Sequence, residues 1–338
     1  MQPLLEVENL SIGFDAGQGV VAITDSVSFR IFPGEVYGLV GESGCGKSVT
    51  CMALLRLLPV PGGKVLSGRV LFKGKDILSL APDELRSLRG SEIGMIFQEP
   101  GAALNPLLPI QKQLLQAFQY HTYAGDPLKR VIALLEKVGM SDPGRVLAAY
   151  PHQLSGGMLQ RVMIAMALAL NPSLLIADEP TTALDVTVQA QIMELLENLR
   201  REFQTAVLMV THNLNLVAQY AGRVGVMYAG RIAEESGVDD FLARSLHPYS
   251  QGLLRALPRL DVKARPRPIP GQVPKPSEYL TGCRFRDRCP YAFDQCQDKP
   301  DLFPAGADHK VACFLHDGTA NVGAPGQAGV PNPQGALS

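Results

Sequence analysis

No stretch of the 338-residue sequence approaches the ~18 consecutive apolar residues needed to span a bilayer. The opening residues MQPLLEVENL also lack the positive segment and apolar run of a secretory signal. The chain is therefore expected to remain in the cytoplasm. Strong net charge is missing too. A formal charge of −1 gives no domain-wide basic footprint for a polyanion, and the basic residues between Lys263 and Arg288 are interleaved with Asp261, Glu278 and Asp287. That stretch reads as a solvated face, and nucleic acid is not an expected partner. Cysteine is sparse, with six in all, and in a reducing compartment disulfides are not expected. What is present is enough apolar residue, 46% against 19% charged, to build an ordinary globular core. The length exceeds what one core usually fills, so one large domain and a smaller module are expected.

LLEVENL, VVAITDSVSFRI and EVYGLVG read as strands, the last running into a glycine-rich turn. A helical pattern follows, KSVTCMALLRLLP, expected to stop at Pro59. Residues about 99–170 carry helical periodicity with proline breaks, in KRVIALLEKVGM and MLQRVMIAMALAL among others, and read as a helical insertion. SLLIAD and AVLMVTH flank the helix VQAQIMELLENLRREF, the alternation of a parallel α/β sheet. Strands recur near GRVGVMYAGRIAEE. The expected organisation is a nucleotide-binding domain over 1–245, a proline-rich, cysteine-bearing module over 246–318, and a disordered tail over 319–338.

GESGCGKS, residues Gly41 to Ser48, matches G-x-x-x-x-G-K-[ST] in the required place between strand and helix. Gly41, Gly44 and Gly46 let the backbone curl so that its N–H groups, including those of Glu42, Ser43, Cys45 and the helix start at Val49, face phosphate oxygens. Lys47 adds a point charge, and Ser48 offers a hydroxyl to Mg²⁺. A plain glycine-rich turn is the alternative. Four apolar residues, Leu174 to Ala177, lead into Asp178 and Glu179, so two carboxylates emerge from a buried strand. Asp178 is expected to hold Mg²⁺ and Glu179 to polarise the attacking water. A helix N-cap would account for one acid but not for the pair.

With LSGGM at Leu154 to Met158 the chain resembles ABC-type ATPases. The resemblance implies a P-loop ABC cassette: a RecA-like parallel-sheet core with an antiparallel β-subdomain and a helical subdomain. It further implies that Ser155, Gly156 and Gly157 bind the γ-phosphate of ATP held by an opposite subunit. The other landmarks follow in order: Gln98 in MIFQEP, Asp185 in TALD and His212 in VTHN. By resemblance Gln98 senses Mg²⁺ and the lytic water, Asp185 lines the dimer interface, and His212 contacts the γ-phosphate. Phe14 is the candidate for stacking on adenine, with Phe29 and Phe32 read as core.

YPHQLSGGMLQRVMIAMALALNPSLLIADEPTTALDVTVQAQI, with MIFQEPGAALNP upstream and HPYSQGLLRALP downstream, is similar to the dipeptide and oligopeptide importer ATPases. Leu159 stands where Arg, Lys or Ser is more usual. The resemblance implies two integral membrane permease subunits, a second and paralogous ATPase, an extracytoplasmic substrate-binding protein, and a place on the cytoplasmic face of a bacterial inner membrane. Nickel, murein-peptide and antimicrobial-peptide uptake systems share these features. A soluble ABC ATPase of DNA repair or translation is the more distant alternative. Such proteins usually carry a coiled coil, a zinc insertion or a tandem cassette, and none of these is legible between Gly41 and His212.

Cys283, Cys289, Cys296 and Cys313 are spaced C-x5-C-x6-C-x16-C in a segment poor in aliphatic residues, where a tetrathiolate site could supply folding energy. Structural zinc usually shows tighter C-x2-4-C pairs, whereas iron–sulfur clusters accept looser spacing. The resemblance implies a 4Fe–4S cluster there, with zinc as the alternative and four unrelated buried thiols as the plain one.

Overall fold

The chain is described here by a computed structural model covering residues 2–17, 19–182, 184–257 and 268–317. The expected disordered tail, and Asp261 and Lys263 of the basic stretch, lie outside these residues. The strands are β1 (Leu5–Asp15), β2 (Val20–Ile31), β3 (Val36–Val40), β4 (Gly63–Phe72), β5 (Lys75–Asp76), β6 (Ile93–Ile96), β7 (Leu174–Asp178), β8 (Ala206–Thr211), β9 (Arg223–Tyr228), β10 (Arg231–Gly237), β11 (Phe303–Pro304) and β12 (Lys310–Val311). They form a four-stranded sheet, β2-β1-β4-β5, and an eight-stranded one, β11-β12-β10-β9-β3-β8-β7-β6.

The small sheet is antiparallel, and β1 shows why: Leu5, Val7, Leu10 and Ile12 are buried, while Glu6 and Glu8 pair across the strands with Arg30 and Arg69. In the large sheet β9, β3, β8, β7 and β6 run parallel. Both faces of its strands are buried. In β7, Leu174 and Ile176 join the apolar layer against the small sheet, and Leu175 and Ala177 join the layer under the helices. The parallel direction brings the carboxyl ends of β3, β6, β7 and β8 to one edge, where ligand sites of α/β sheets form.

Helix α1 (Lys47–Leu54) follows β3 directly. It ends five residues before the expected stop at Pro59. Arg56 takes a left-handed conformation, φ 52°, and the N–H groups of Arg56 and Leu57 turn back to the carbonyls of Ala53 and Met52. That is a Schellman closure built without glycine. α2 (Pro82–Leu88) links β5 to β6. The region expected to be helical contains α3 (Pro100–Ala103), α4 (Ile110–Gln119), α5 (Pro127–Lys137), α6 (Pro143–Ala148) and α7 (Gly156–Ala167). α8 (Val186–Phe203) buries Ile192, Met193, Leu196 and Leu199, one face at helical spacing. α9 (Leu214–Tyr220), α10 (Val238–Arg244) and α11 (Pro248–Arg255) complete the layer.

The C-terminal segment is built into the cassette. β12 pairs with β10 through Glu234↔Val311 and Glu235↔Lys310. Buried Glu234 accepts from the backbone N–H groups of Leu246 and His247, at 2.7 and 3.0 Å, and lies 2.7 Å from His309 Nε2.

Candidate nucleotide site

Gly41 touches the neighbouring backbone: a Cβ there would lie 2.1 Å from the Met227 carbonyl oxygen, so no side chain fits. Gly46, at φ 107°, turns the chain into α1. Lys47 is buried, and its Nζ donates to the carbonyls of Gly41 at 2.8 Å and Glu42 at 3.1 Å, with Cys45 Sγ at 3.6 Å. Ser48 Oγ donates to Asp178 Oδ1 at 3.0 Å. The loop and the end of β7 thus meet, and a hydroxyl and a carboxylate stand together as oxygen donors of the kind Mg²⁺ takes. Burial, and secondarily the charge of Glu179, push the Asp178 carboxyl up, while the Ser48 hydroxyl opposes them.

Glu179 has a left-handed backbone, φ 47°, and its N–H still bonds to the Val210 carbonyl at 2.8 Å. A glutamate held in this region is strained by roughly 1–3 kcal/mol, the kind of cost that concentrates at functional sites. Its Oε2 accepts from Thr182 Oγ1 at 2.7 Å and Gln98 Nε2 at 3.3 Å, and its Oε1 lies 3.3 Å from His212 Nδ1. Burial disfavours the charged carboxylate, but the Thr182 hydroxyl and His212 outweigh it and hold the carboxyl below its usual value. Gln98 follows β6, Glu179 follows β7 and His212 follows β8, so the three sequence-read residues converge on one sheet edge. The His212 side chain is 57% exposed.

Ser155 caps α7, its Oγ accepting from the Met158 N–H at 3.4 Å, and Ser155 and Gly156 are exposed. Asp185 caps α8, accepting from the Val188 N–H at 3.0 Å. A Cβ on Gly157 would lie 3.3 Å from Val188, so the two helix starts are neighbours. Phe14 is half-buried in β1, where it pairs with Val21 and Gly63. Phe29 is core, stacked 5.2 Å from Tyr37, and Phe32 lies under the Arg223 guanidinium at 5.8 Å.

Cys283, Cys289, Cys296 and Cys313 line one small apolar cavity with Phe285 and Phe314. Burial raises the thiols of Cys283, Cys289 and Cys313, the last two to about 11 and about 12. Among the described residues, no three His, Cys, Asp or Glu side chains are arranged to hold a metal ion. The expected iron–sulfur or zinc site thus gains no support from this arrangement, although the donors share one cavity.

Three contacts had no signal in the sequence. Thr182 braces Glu179. Tyr249 Oη accepts from the Glu42 N–H at 2.9 Å, and Arg288 forms a two-pronged ion pair with the Glu42 carboxylate at 2.8 and 3.1 Å. The last two link residues more than 200 positions apart, which no spacing rule reaches.

A phosphate loop after β3, two carboxylates at the end of β7 and a signature helix start define an ATP-hydrolysing cassette of the ABC class. Residues 24–182 match the family described as ABC transporter, and residues 233–296 the one described as oligopeptide/dipeptide transporter, C-terminal region. The chain is 46% identical over 321 residues to the dipeptide transport ATP-binding protein DppD of Bacillus subtilis, covering 94% of this chain and 96% of that one. It is 45% identical over 324 residues to a probable peptide ABC transporter ATP-binding protein of Sinorhizobium fredii, with 94% and 97% covered. Among solved structures, the ATP-binding cassette MJ0796 bound to ADP and Pi is 30% identical, with TM-score 0.61 over 69% of this chain and 98% of that one. The chain belongs to the ATP-binding subunits of ABC transporters, in the branch with the oligopeptide/dipeptide C-terminal region. It is an ATPase subunit. No helix among the described residues is long and apolar enough to cross a membrane.

Proposed function

We propose that this chain binds and hydrolyses ATP to drive import of dipeptides or oligopeptides from the cytoplasmic face of a bacterial inner membrane. Two permease subunits, a second cassette and an extracytoplasmic binding protein complete the system. The observation carrying the ATPase half is the convergence of Gln98, Glu179 and His212 beside the Ser48–Asp178 pair. The peptide half rests on the C-terminal region match and on relatives named for peptide transport. The Glu42 N–H is already bonded to Tyr249 Oη, so loop N–H groups from Ser43 to Val49, with Lys47, would bind the phosphates, Ser48 and Asp178 would hold Mg²⁺, and Phe14 would face the base. When bound, Mg²⁺ neutralises charge between the β- and γ-phosphates. Glu179 accepts a proton from water as its oxygen attacks the γ-phosphorus and the bond to the bridging oxygen breaks. Gln98 and His212 orient that water and the released phosphate. Vesicles containing the assembled transporter should take up labelled dipeptide only with ATP inside the cytoplasmic compartment. Uptake of nickel but not peptide by the same vesicles would reassign the cargo, and failure of the chain to co-purify with any permease would favour a soluble role.

Ser155, Gly156 and Gly157 are exposed or half-exposed at the start of α7, suited to a phosphate held by another subunit and with Asp185 at the next helix start. The isolated chain should therefore hydrolyse ATP slowly, with a rate per chain that climbs with protein concentration. Assembly with the permeases should raise it further. A full rate in dilute monomer would remove the shared site.

We further propose, from the spacing of Cys283, Cys289, Cys296 and Cys313 and the family resemblance, that these thiols hold a 4Fe–4S cluster, with zinc the other candidate. Protein purified without oxygen should be brown, with absorbance near ~400 nm that Cys→Ser variants lose. Colourless protein with stoichiometric zinc would favour zinc, and four titratable thiols with no metal would sink both.

A further inference from the structure

We propose that Arg288 is a positioning residue for the phosphate-binding loop, through which the cysteine-bearing module sets nucleotide affinity. Arg288 is nearly buried, 6% exposed, and its guanidinium spans both oxygens of Glu42, the second residue of the loop. It is held in place from behind. Its Nε donates to the Pro270 carbonyl at 2.8 Å, and it lies over the rings of Tyr228 and Phe285 at 5.7 and 5.9 Å. Those rings pack on Tyr249, whose hydroxyl accepts from the Glu42 N–H. One module therefore grips Glu42 by side chain and by backbone at once, while Lys47 Nζ holds the Glu42 carbonyl from inside the loop.

The geometry has an electrostatic consequence. Glu42 places a carboxylate in a loop built to receive phosphates, and an unpaired anion there opposes binding. Arg288 both neutralises that carboxylate and turns it away, toward the module. A bidentate guanidinium pair fixes orientation in a way an ammonium does not. Arg288 also adjoins Cys289, and the turn from Cys283 to Cys289 is closed by Arg288 N–H to the Phe285 carbonyl at 3.0 Å and Cys289 N–H to the Arg286 carbonyl at 3.2 Å. The same short turn thus presents thiols to the cavity and a cation to the loop.

The inference rests on the nucleotide-site reading above. It is tested by titrating the full-length chain with a fluorescent ADP analogue. Arg288→Gln should raise Kd about tenfold, through loss of the pair and exposure of the Glu42 charge. Glu42→Gln should cost less, since it removes the repelling charge with the anchor. The double variant should match Glu42→Gln alone, so that the second substitution rescues the first. In the assembled transporter the KM for ATP should rise with Arg288→Gln while kcat changes little. A purely structural Arg288 would give a lower melting temperature with no rescue. Should Arg288→Gln not fold, Arg288→Lys, expected to be intermediate and again rescued by Glu42→Gln, replaces it. Unchanged affinity in the Arg288 variants, or additive losses in the double variant, overturns the proposal. A wild-type chain that does not bind the analogue refutes the nucleotide-site reading instead.

Discussion

Glu179→Gln is expected to cut ATP turnover by about 10²–10⁴-fold while leaving nucleotide affinity within a few-fold of wild type, the range attributed to a positioned general base. That loss corresponds to about 3–5 kcal/mol of transition-state stabilisation. The amide keeps the shape of the side chain and can still meet Thr182 and Gln98, which lie 2.7 and 3.3 Å from the carboxylate. What it cannot do is accept a proton from water. Because the phosphate loop is untouched, the variant should accumulate as a closed, ATP-loaded pair of cassettes, visible as a nucleotide-dependent dimer by size-exclusion chromatography. The pH response follows from the same environment. Thr182 and His212 hold the Glu179 carboxyl below its ordinary value, so the base is already ionised well below neutral pH and is protonated only in acid. Near-normal hydrolysis by the amide variant would take Glu179 out of this role.

Much of this site was legible because it is local. The loop from Gly41 to Ser48 is contiguous, and its strand and helix neighbours follow at once. Asp178 ends a run whose residues are all buried and Glu179 directly follows it, so position alone brought two carboxylates to a sheet edge. Gln98 and His212 were legible only through the family resemblance, and the parallel strands β6 and β8 carry them to that edge. The exceptions have separate physical causes. α1 ended at Leu54 because Arg56 entered the left-handed region, which residue type does not advertise outside glycine and asparagine. The left-handed φ of Glu179 was equally silent. β11 and β12 are two residues each and have no period to read, yet they attach the C-terminal segment to β10. The cysteine spacing led to the expectation of a metal site. The fold does bring the thiols to one cavity, but among the described residues not in ligating geometry.

Lys47→Ala should act on the other half of the reaction, weakening nucleotide binding itself by about 10- to 100-fold, the scale of one lost charge-assisted contact to phosphate. The ammonium is buried inside the curl of the loop, 2.8 Å from the Gly41 carbonyl and 3.1 Å from that of Glu42. From there it can add positive charge on the side where the loop N–H groups converge. Alanine removes that charge and leaves two loop carbonyls without their donor, so both the attraction and the shape of the loop suffer. Arginine is not expected to rescue it. Cys45 Sγ lies 3.6 Å from Nζ, and a planar guanidinium is too large for a space closed by that thiol and two carbonyls. Fluorescence titration with an ATP analogue checks the first claim, and single-turnover hydrolysis at saturating nucleotide checks the second. Wild-type affinity with lost turnover in Lys47→Ala would move Lys47 from nucleotide capture to the chemical step and leave the loop amides as the main phosphate ligands.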